Sequence, residues 1–295
     1  MVPLELLITS NNKAAPLLKG VDCSKFLKSY MLSTASFCKP NFNMKQFILL
    51  FALSLGFYFA QAQEKATDIT VDQILATYFE NTGGVDNWKA LTSTRMEGKM
   101  VQMGMEFPGV VTSAAPNKQR VDVNVQGQEI IQAYDGKDAW WINPFTGSTD
   151  AQPMPPEMAE SMTKEVFESV LIDYAEKGHA VTYLGHQEVD GTDCYEVKVV
   201  KKDGDEQFYY FETENVVPIM MKTIASSGPA KGQATETFMS DYEEVNGLVI
   251  PMYIDTKVNG ASQFSITITK VEFNVPVSEE LFAYPKAAAT GEDKK

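Results

Sequence analysis

The chain has 295 residues, of which 44% are hydrophobic, and carries a formal net charge of −14 at pH 7. Residues 1–62 contain six lysines and two acidic residues, which leaves −18 on residues 63–295. An acidic protein of this kind is repelled by nucleic acid and by anionic membrane surfaces, so the composition argues against both as partners.

A secretory signal peptide is predicted at residues 44–62. Met44-Lys45-Gln46 forms a short basic start, residues 47–59 are almost all apolar, and Ala60-Gln61-Ala62 fits a small-x-small cleavage site. The apolar run is too short to cross a hydrocarbon layer of about 30 Å as a helix. We therefore expect an exported, soluble, periplasmic protein.

Residues 1–43 lie upstream of this complete signal, and we interpret them as a start codon assigned too early, with a real N-terminal extension as the alternative. Residues 63–286 are expected to form one domain and residues 287–295 a charged tail. Cys194 is then the single thiol of the mature chain, which excludes an internal disulfide. Its place in an alternating strand favours a small buried side chain over a nucleophile.

The first predicted element of the domain is a helix that begins with a capping box. The Thr70 hydroxyl can accept from the amide of Gln73, and the Gln73 side chain can return the bond. Gly83-Gly84 is expected to end this helix. A short helical turn is predicted around Trp88.

From Thr94 onward the hydrophobic period changes to two, as in Val121, Val123 and Val125, which predicts antiparallel strands with one apolar face. We count about a dozen short strands, arranged as meandering hairpins. The turns between them are predicted at Asn117-Lys118, Gln126-Gly127, Asp135-Gly136, Asp203-Gly204 and Asn246-Gly247.

One amphipathic segment interrupts the strands, after a proline-rich joint at residues 153–156. Its apolar side chains recur every four residues: Met154, Met158, Met162, Val166, Val170 and Tyr174. The spacing predicts a helix of about six turns, about 30–35 Å long. This helix is either a lid over an apolar cleft or a permanent part of the core. For a lid, Met158→Glu or Met162→Glu lowers ligand binding first; for a core helix, stability falls first.

The stretch Asp135-Gly136-Lys137-Asp138-Ala139-Trp140-Trp141-Ile142-Asn143-Pro144-Phe145 resembles a strand of the LolA-like outer-membrane lipoprotein-sorting family. In that family an aspartate-glycine-lysine turn leads into a tryptophan strand that ends in asparagine-proline-phenylalanine. Further segments are similar to the same family: Ser240-Asp241-Tyr242, Asn246-Gly247-Leu248-Val249-Ile250-Pro251 and Leu281-Phe282-Ala283-Tyr284-Pro285.

The resemblance implies a mainly β (α+β) fold, a strongly curved antiparallel sheet forming an unclosed half-barrel with a helical lid. It implies a monomeric periplasmic carrier that binds acyl chains of a lipoprotein or lipid in a hydrophobic cleft during outer-membrane lipoprotein sorting. Inner-membrane donor and outer-membrane acceptor proteins are the further partners expected. The acyl-chain and lid residues expected are Trp140, Trp141, Met154, Met158, Met162, Val166, Val170, Met103 and Met105.

The sequence departs from the family at Ala115. The family has an arginine there, before a proline-asparagine turn, and this arginine fastens the lid. The resemblance therefore implies that the lid of this protein is held in another way, or that its lid cycle differs. Arg120 is close in sequence, but the strand pattern does not fix the face on which it lies.

No catalytic or metal motif is recognised, neither a G-x-S-x-G elbow nor H-E-x-x-H nor a phosphate-binding glycine loop. His179 and His186 lack companion ligands and are expected at the surface. We therefore expect no enzyme, cofactor or metal site. Two alternatives remain: an envelope-stress sensor or regulatory binding module with the same half-barrel, and an enzyme that acts on lipids in the cleft.

Overall fold

The computed structural model describes residues 69–164, 166–227 and 231–285. The predicted upstream segment, signal peptide and charged tail lie outside these residues. The helices of the described part are α1 (Val71–Asn81), α2 (Val85–Lys89) and α3 (Pro156–Lys164). Its strands are β1 (Ser93–Gln102), β2 (Met105–Ala114), β3 (Lys118–Val125), β4 (Gln128–Tyr134), β5 (Ala139–Asn143), β6 (Ser148–Pro153), β7 (Ala180–Val189), β8 (Thr192–Val200), β9 (Glu206–Glu212), β10 (Pro218–Ile224), β11 (Ala234–Val245), β12 (Leu248–Val258) and β13 (Ala261–Phe273).

The thirteen strands form one sheet in the order β6-β5-β4-β3-β2-β1-β13-β12-β11-β10-β9-β8-β7. Strands that are neighbours in the sheet are neighbours in the sequence, except β1 and β13. Every pairing is antiparallel. The edges β6 and β7 are not paired with each other in the described part of the chain, so the sheet is open. This confirms the predicted mainly β fold with an unclosed barrel.

The sheet is strongly curved. This follows from α3, a short helix that contacts two strands far apart in the strand order. The main-chain N–H of Met154, just before α3, donates to Ala139 of β5 at 3.0 Å. Lys164 is the last residue of α3, and its Nζ lies 3.7 Å from the carboxylate of Asp205, which immediately precedes β9. Nine strand spacings separate β5 from β9, about 43 Å in a flat sheet. A nine-residue helix is only about 13 Å long, so the sheet must bend toward α3.

The sheet therefore has an inner face, which carries the helices, and an outer face. Helix α1 lies on the inner face of β8 and β9. Its buried residues pack there against Val197, Val199 and Phe211. The buried residues of α1 are Ile74, Leu75, Tyr78 and Phe79.

The ends of α1 confirm the sequence prediction. Thr70 Oγ1 accepts from the Gln73 main-chain N–H at 3.3 Å, and Gln73 Oε1 accepts from the Thr70 N–H at 2.9 Å. The helix ends before Gly83, where φ is +105°. A Cβ at Gly83 would also lie 2.0 Å from the carbonyl oxygen of Gly247, so both conformation and packing require glycine here.

The predicted six-turn helix from Met154 to Tyr174 is wrong. Helix α3 ends at Lys164, and residues 166–178 form irregular turns. The Ser169 hydroxyl accepts from the main-chain N–H of Leu171 at 3.3 Å, a local bond that competes with helix bonds. Asp173 has φ +48°, which a right-handed helix does not tolerate. We call residues 166–178 the crossing segment, because they complete the connection from β6 at one edge to β7 at the other.

Candidate functional site

A cavity of about 560 Å³ lies between the inner face of the sheet and the crossing segment. Strands β1, β2, β12 and β13 form its floor. One side wall is formed by Trp88, Lys89 and Leu91, at the end of α2 and just after it. The volume lies within the range of roughly 300–1,000 Å³ typical of small-molecule sites. The apolar floor residues are Met96, Val111, Ile250, Ile254, Ile266 and Ile268, and the roof residues are Val166, Phe167, Val170 and Ile172.

The floor is apolar because the strand register aligns the inward positions of four strands. Met96 of β1 is paired with Val111 of β2, and Ile254 of β12 is paired with Ile266 of β13. Directly paired residues lie on the same face of an antiparallel sheet. The alternating pattern of each strand therefore adds up to one continuous apolar surface under the crossing segment.

The roof is fastened by a few polar contacts. The main-chain N–H of Phe167 donates to the carbonyl oxygen of Pro116 at 3.0 Å. Lys89 Nζ lies 2.7 Å from the carboxylate of Asp173, and the Tyr174 hydroxyl donates to Asp72 at 2.8 Å. The turn that begins at Ala115 thus contacts the roof through the main-chain carbonyl of Pro116.

Polar side chains line the cavity near the roof and the start of β7. Lys177 is paired with Glu168 and donates to the Ser169 carbonyl at 3.0 Å. His179 Nδ1 accepts from the main-chain N–H of Lys202 at 3.1 Å, which leaves the ring proton on Nε2. Burial lowers the pKa of His179, and neighbouring lysines lower it further. His179 is therefore a half-buried neutral donor, rather than the surface residue expected.

Cys194 and His186 do not line this cavity. Cys194 is fully buried, as expected, and burial, followed by Asp193 and Glu212, raises its pKa to about 11. His186 is exposed and lies 2.9 Å from Asp193. Within the described ranges, no group of three or more His, Cys, Asp or Glu residues could hold a metal ion.

Of the methionines predicted for the lid, Met154 precedes α3 and Met158 and Met162 belong to it. None of the three lines the cavity. Met154 and Met162 are buried against Tyr134 of β4, and Met158 and Trp141 pack on the same cluster. Met162 is only 1% exposed. Of the predicted stripe, Val166 and Val170 line the cavity.

Trp140 lies on the outer face, since adjacent residues of a strand point to opposite faces. Its indole N–H donates to the carbonyl oxygen of Phe282 at 2.7 Å. Arg120 lies on the same face, stacks 5.8 Å from the Trp140 ring and donates to the Leu281 carbonyl at 3.0 Å. Both residues thus hold the C-terminal segment, and Arg120 does not replace the missing lid arginine.

The last two predicted site residues lie at the far end of β1 and β2. Met103 occupies the turn between these strands and is 81% exposed. Met105 lines a second, smaller cavity of about 260 Å³ on the inner face, which we call the distal groove. Its apolar lining residues are Met105, Phe107, Val121, Val123, Val125, Ile130 and Phe145.

The floor residues of β1, β2, β12 and β13 were not predicted as part of the site. Their alternation is visible in the sequence, and the structure places Ile254, Ile266 and Ile268 on the inner face, where they line the cavity. The missing information was the pairing of β1 with β13, which joins residues about 170 positions apart, such as Met96 and Val271. No local pattern specifies that pairing.

No helix within the described residues has the length and hydropathy needed to span a membrane. No family model matches the sequence, and no curated protein matches it either. Solved structures do match. A LolA superfamily protein from Nitrosomonas europaea has a TM-score of 0.48 at 11% identity, and the alignment covers 73% of this chain and 98% of that one.

Two further structures are comparable. A DUF1329 family protein from Desulfovibrio piger has a TM-score of 0.47 at 13% identity, over 73% of this chain and 98% of its own. An outer membrane lipoprotein-sorting protein domain from Vibrio parahaemolyticus has a TM-score of 0.47 at 9% identity, over 71% and 94%. LolA-like proteins, to which the sequence shows a resemblance, are thus among the structural matches, at low sequence identity.

Proposed function

We propose that this protein is a periplasmic carrier that holds acyl chains of lipoproteins or lipids and serves outer-membrane lipoprotein sorting. The observation that carries the proposal is the cavity of about 560 Å³ with an apolar floor and a roof made by the crossing segment. The predicted signal peptide supports export, and the LolA-like sequence segments support the class of cargo.

The energetics suit an acyl chain. Each buried methylene contributes about 0.8 kcal/mol, so ten methylenes contribute about 8 kcal/mol before the ordering of the chain is subtracted. The floor offers isoleucine, valine and methionine side chains and no carboxylate. Binding of this kind depends on length and shape more than on a particular polar group, which suits cargo that must be taken up and released.

The roof also suits a carrier. The crossing segment is irregular, and Val166 at its start is 52% exposed. Further along, Leu171 and Ile172 are 3% and 2% exposed and pack in the core with α1, so local opening at low cost is expected only at the start of the segment. The Lys89–Asp173 pair is about 40% exposed on both sides, so solvent screens the attraction and the pair holds the roof only weakly.

The test is the lipid content of the protein. The full chain is exported from a bacterial host, the mature protein is purified, and bound molecules are identified by native mass spectrometry. We expect acylated species in the complex, and displacement of a fluorescent fatty acid by palmitate. An empty protein that also ignores the fluorescent fatty acid contradicts the proposal. A stable complex with one inner-membrane protein favours the regulatory alternative, and turnover of an ester lipid favours the enzyme.

A further inference from the structure

The cavity and the distal groove lie in line on the inner face of β2. Val111 lines the cavity and Phe107 lines the distal groove. Both side chains point inward, as does position 109 between them, because side chains alternate along a strand. Four residues of strand span about 13 Å, so only one inward position separates the two spaces. That position is Gly109, which has no side chain to separate them.

The Met100 side chain fills the place that Gly109 leaves open. A Cβ added to Gly109 would lie 2.5 Å from the Met100 sulfur and 2.7 Å from its terminal methyl. Met100 of β1 is paired with Phe107 on one side and with Ile266 on the other. Phe107 belongs to the distal groove and Ile266 to the floor of the cavity. Met100 is fully buried and lines neither space, but each of its two strand partners lines one of them.

We propose that Met100 is the partition that limits the length of the bound acyl chain, and that the distal groove is a second subsite for the end of a longer chain. This inference rests on the proposed function. A methionine side chain has three rotatable bonds and no branch, so its terminal atoms close a gap without a rigid wall. Shortening it joins a space of about 560 Å³ to one of about 260 Å³.

The occupant of the distal groove is a hydrocarbon chain end. One inward position of β2, Gly109, separates the groove from the cavity, and the Met100 side chain lies against it. Its lining combines aliphatic and aromatic side chains with Gln102, Gln126 and Gln132, and none of its lining residues is charged. An uncharged chain end finds apolar contacts there, whereas a charged peptide or headgroup finds no opposite charge.

The experiment compares fatty acids of increasing length, namely laurate, palmitate and behenate, in displacing a fluorescent fatty acid from the mature protein. In the unaltered protein, affinity is expected to rise with length and then stop rising once the chain reaches Met100. In Met100→Val, affinity continues to rise, by up to about fourfold for each further methylene that enters the distal groove.

Two further variants isolate the cause. Met239→Val shortens another buried methionine of the same hydrophobic cluster, on β11, which lies three strands from β1 in the sheet. It does not lie against Gly109, and this variant is expected to keep the original length profile. Met100→Val combined with Val123→Phe fills the distal groove and is expected to restore the plateau. The inference is overturned if Met100→Val shows the same length profile as the unaltered protein. It is also overturned if the double variant with Val123→Phe still binds longer chains more tightly.

A measurement without substitutions guards against misfolded variants. Palmitate with a photoreactive diazirine at its methyl end is crosslinked to the unaltered protein, and the labelled peptide is identified. Label on the β1 segment that contains Met100 supports the partition, and label confined to the crossing segment contradicts it. Absence of any fatty-acid binding refutes the proposed function itself, whereas palmitate binding with an unchanged length profile refutes only the partition.

Discussion

The main-chain N–H of Phe167 donates to the carbonyl oxygen of Pro116 at 3.0 Å, which joins the crossing segment to the turn between β2 and β3. This bond connects the roof of the cavity to the same sheet that forms its floor. Because the donor is a main-chain group, most substitutions at residue 167 leave it in place. Only proline removes it.

Phe167→Pro is therefore expected to loosen the roof. Loss of one hydrogen bond of about 1 kcal/mol corresponds to about fivefold faster release of a bound fluorescent fatty acid, measured by stopped-flow dilution. Phe167→Ala is the control, because it also loses the side chain that lines the cavity but keeps the N–H. Equal release rates in the two variants would show that this bond does not hold the roof.

Met162 and Val166 are one helical turn apart in the sequence, and the structure gives them different environments. Met162→Glu places a charge at a site that is 1% exposed, and it is expected to cost several kcal/mol of stability. Val166→Glu alters a cavity residue that is 52% exposed, so stability changes by no more than about 0.5 kcal/mol while fatty-acid affinity falls. Urea unfolding and fatty-acid titration of both variants check this. Weaker binding by Met162→Glu at normal stability would restore the original prediction of a methionine-lined lid.

Trp140 is expected to act in stability and not in binding. Trp140→Phe leaves the buried carbonyl of Phe282 without its indole donor, at a cost of about 1–3 kcal/mol in addition to the lost ring volume. Fatty-acid affinity is expected to stay unchanged, because the indole lies on the outer face. Thermal unfolding and titration measure the two effects. A loss of affinity at unchanged stability would return Trp140 to the acyl-chain site.

His179 gives the pH dependence a defined sign. Its folded-state pKa lies below the unfolded value of about 6.5, so acidification protonates the unfolded chain first. The folded state therefore loses stability as the pH falls below about 6.5. Above that pH, His179 is neutral in both the folded and the unfolded state and does not affect stability. His179→Asn keeps an acceptor for the Lys202 N–H and is expected to lose less stability than the unaltered protein between pH 7 and pH 5. Urea unfolding at pH 7 and pH 5 measures the free energy of unfolding of the unaltered protein and of His179→Asn. An equal loss of stability in the two proteins would contradict the role given to His179.

The strands, their turns and the capped helix α1 were predictable, because each depends on residues close in sequence. Thr70 and Gln73 are three positions apart, and the Gln126-Gly127 and Asn246-Gly247 turns adopt the positive φ values that such pairs favour. The end of α3 was not predictable from hydrophobic spacing. The apolar stripe continues past Lys164, although Ser169 makes a local hydrogen bond and Asp173 has a positive φ, neither of which fits a longer helix. A spacing of four between apolar residues cannot predict where a side-chain hydrogen bond or a residue with positive φ will interrupt a helix.

The candidate site was predictable only in part. Trp140 and Trp141 were assigned to one surface, although the alternation of a strand already places neighbours on opposite faces. The floor of the cavity required knowledge of long-range strand pairing. The proposed partition depends on the Met100 side chain of β1 lying against Gly109 of β2. Nothing in the sequence around either residue indicates this contact.

The pairing of β1 with β13 has a kinetic consequence. Strands β1–β6 and β7–β13 are each simple meanders that can assemble from neighbouring hairpins, whereas β1 and β13 must close a long stretch of chain. Contacts of such high sequence separation form late as a rule. The cavity floor straddles this seam, so we expect the binding surface to appear only in the last step of folding. In pulse-labelling hydrogen exchange, amides at the β1–β13 seam should gain protection after those of the β8–β9 hairpin. Simultaneous protection would refute this order.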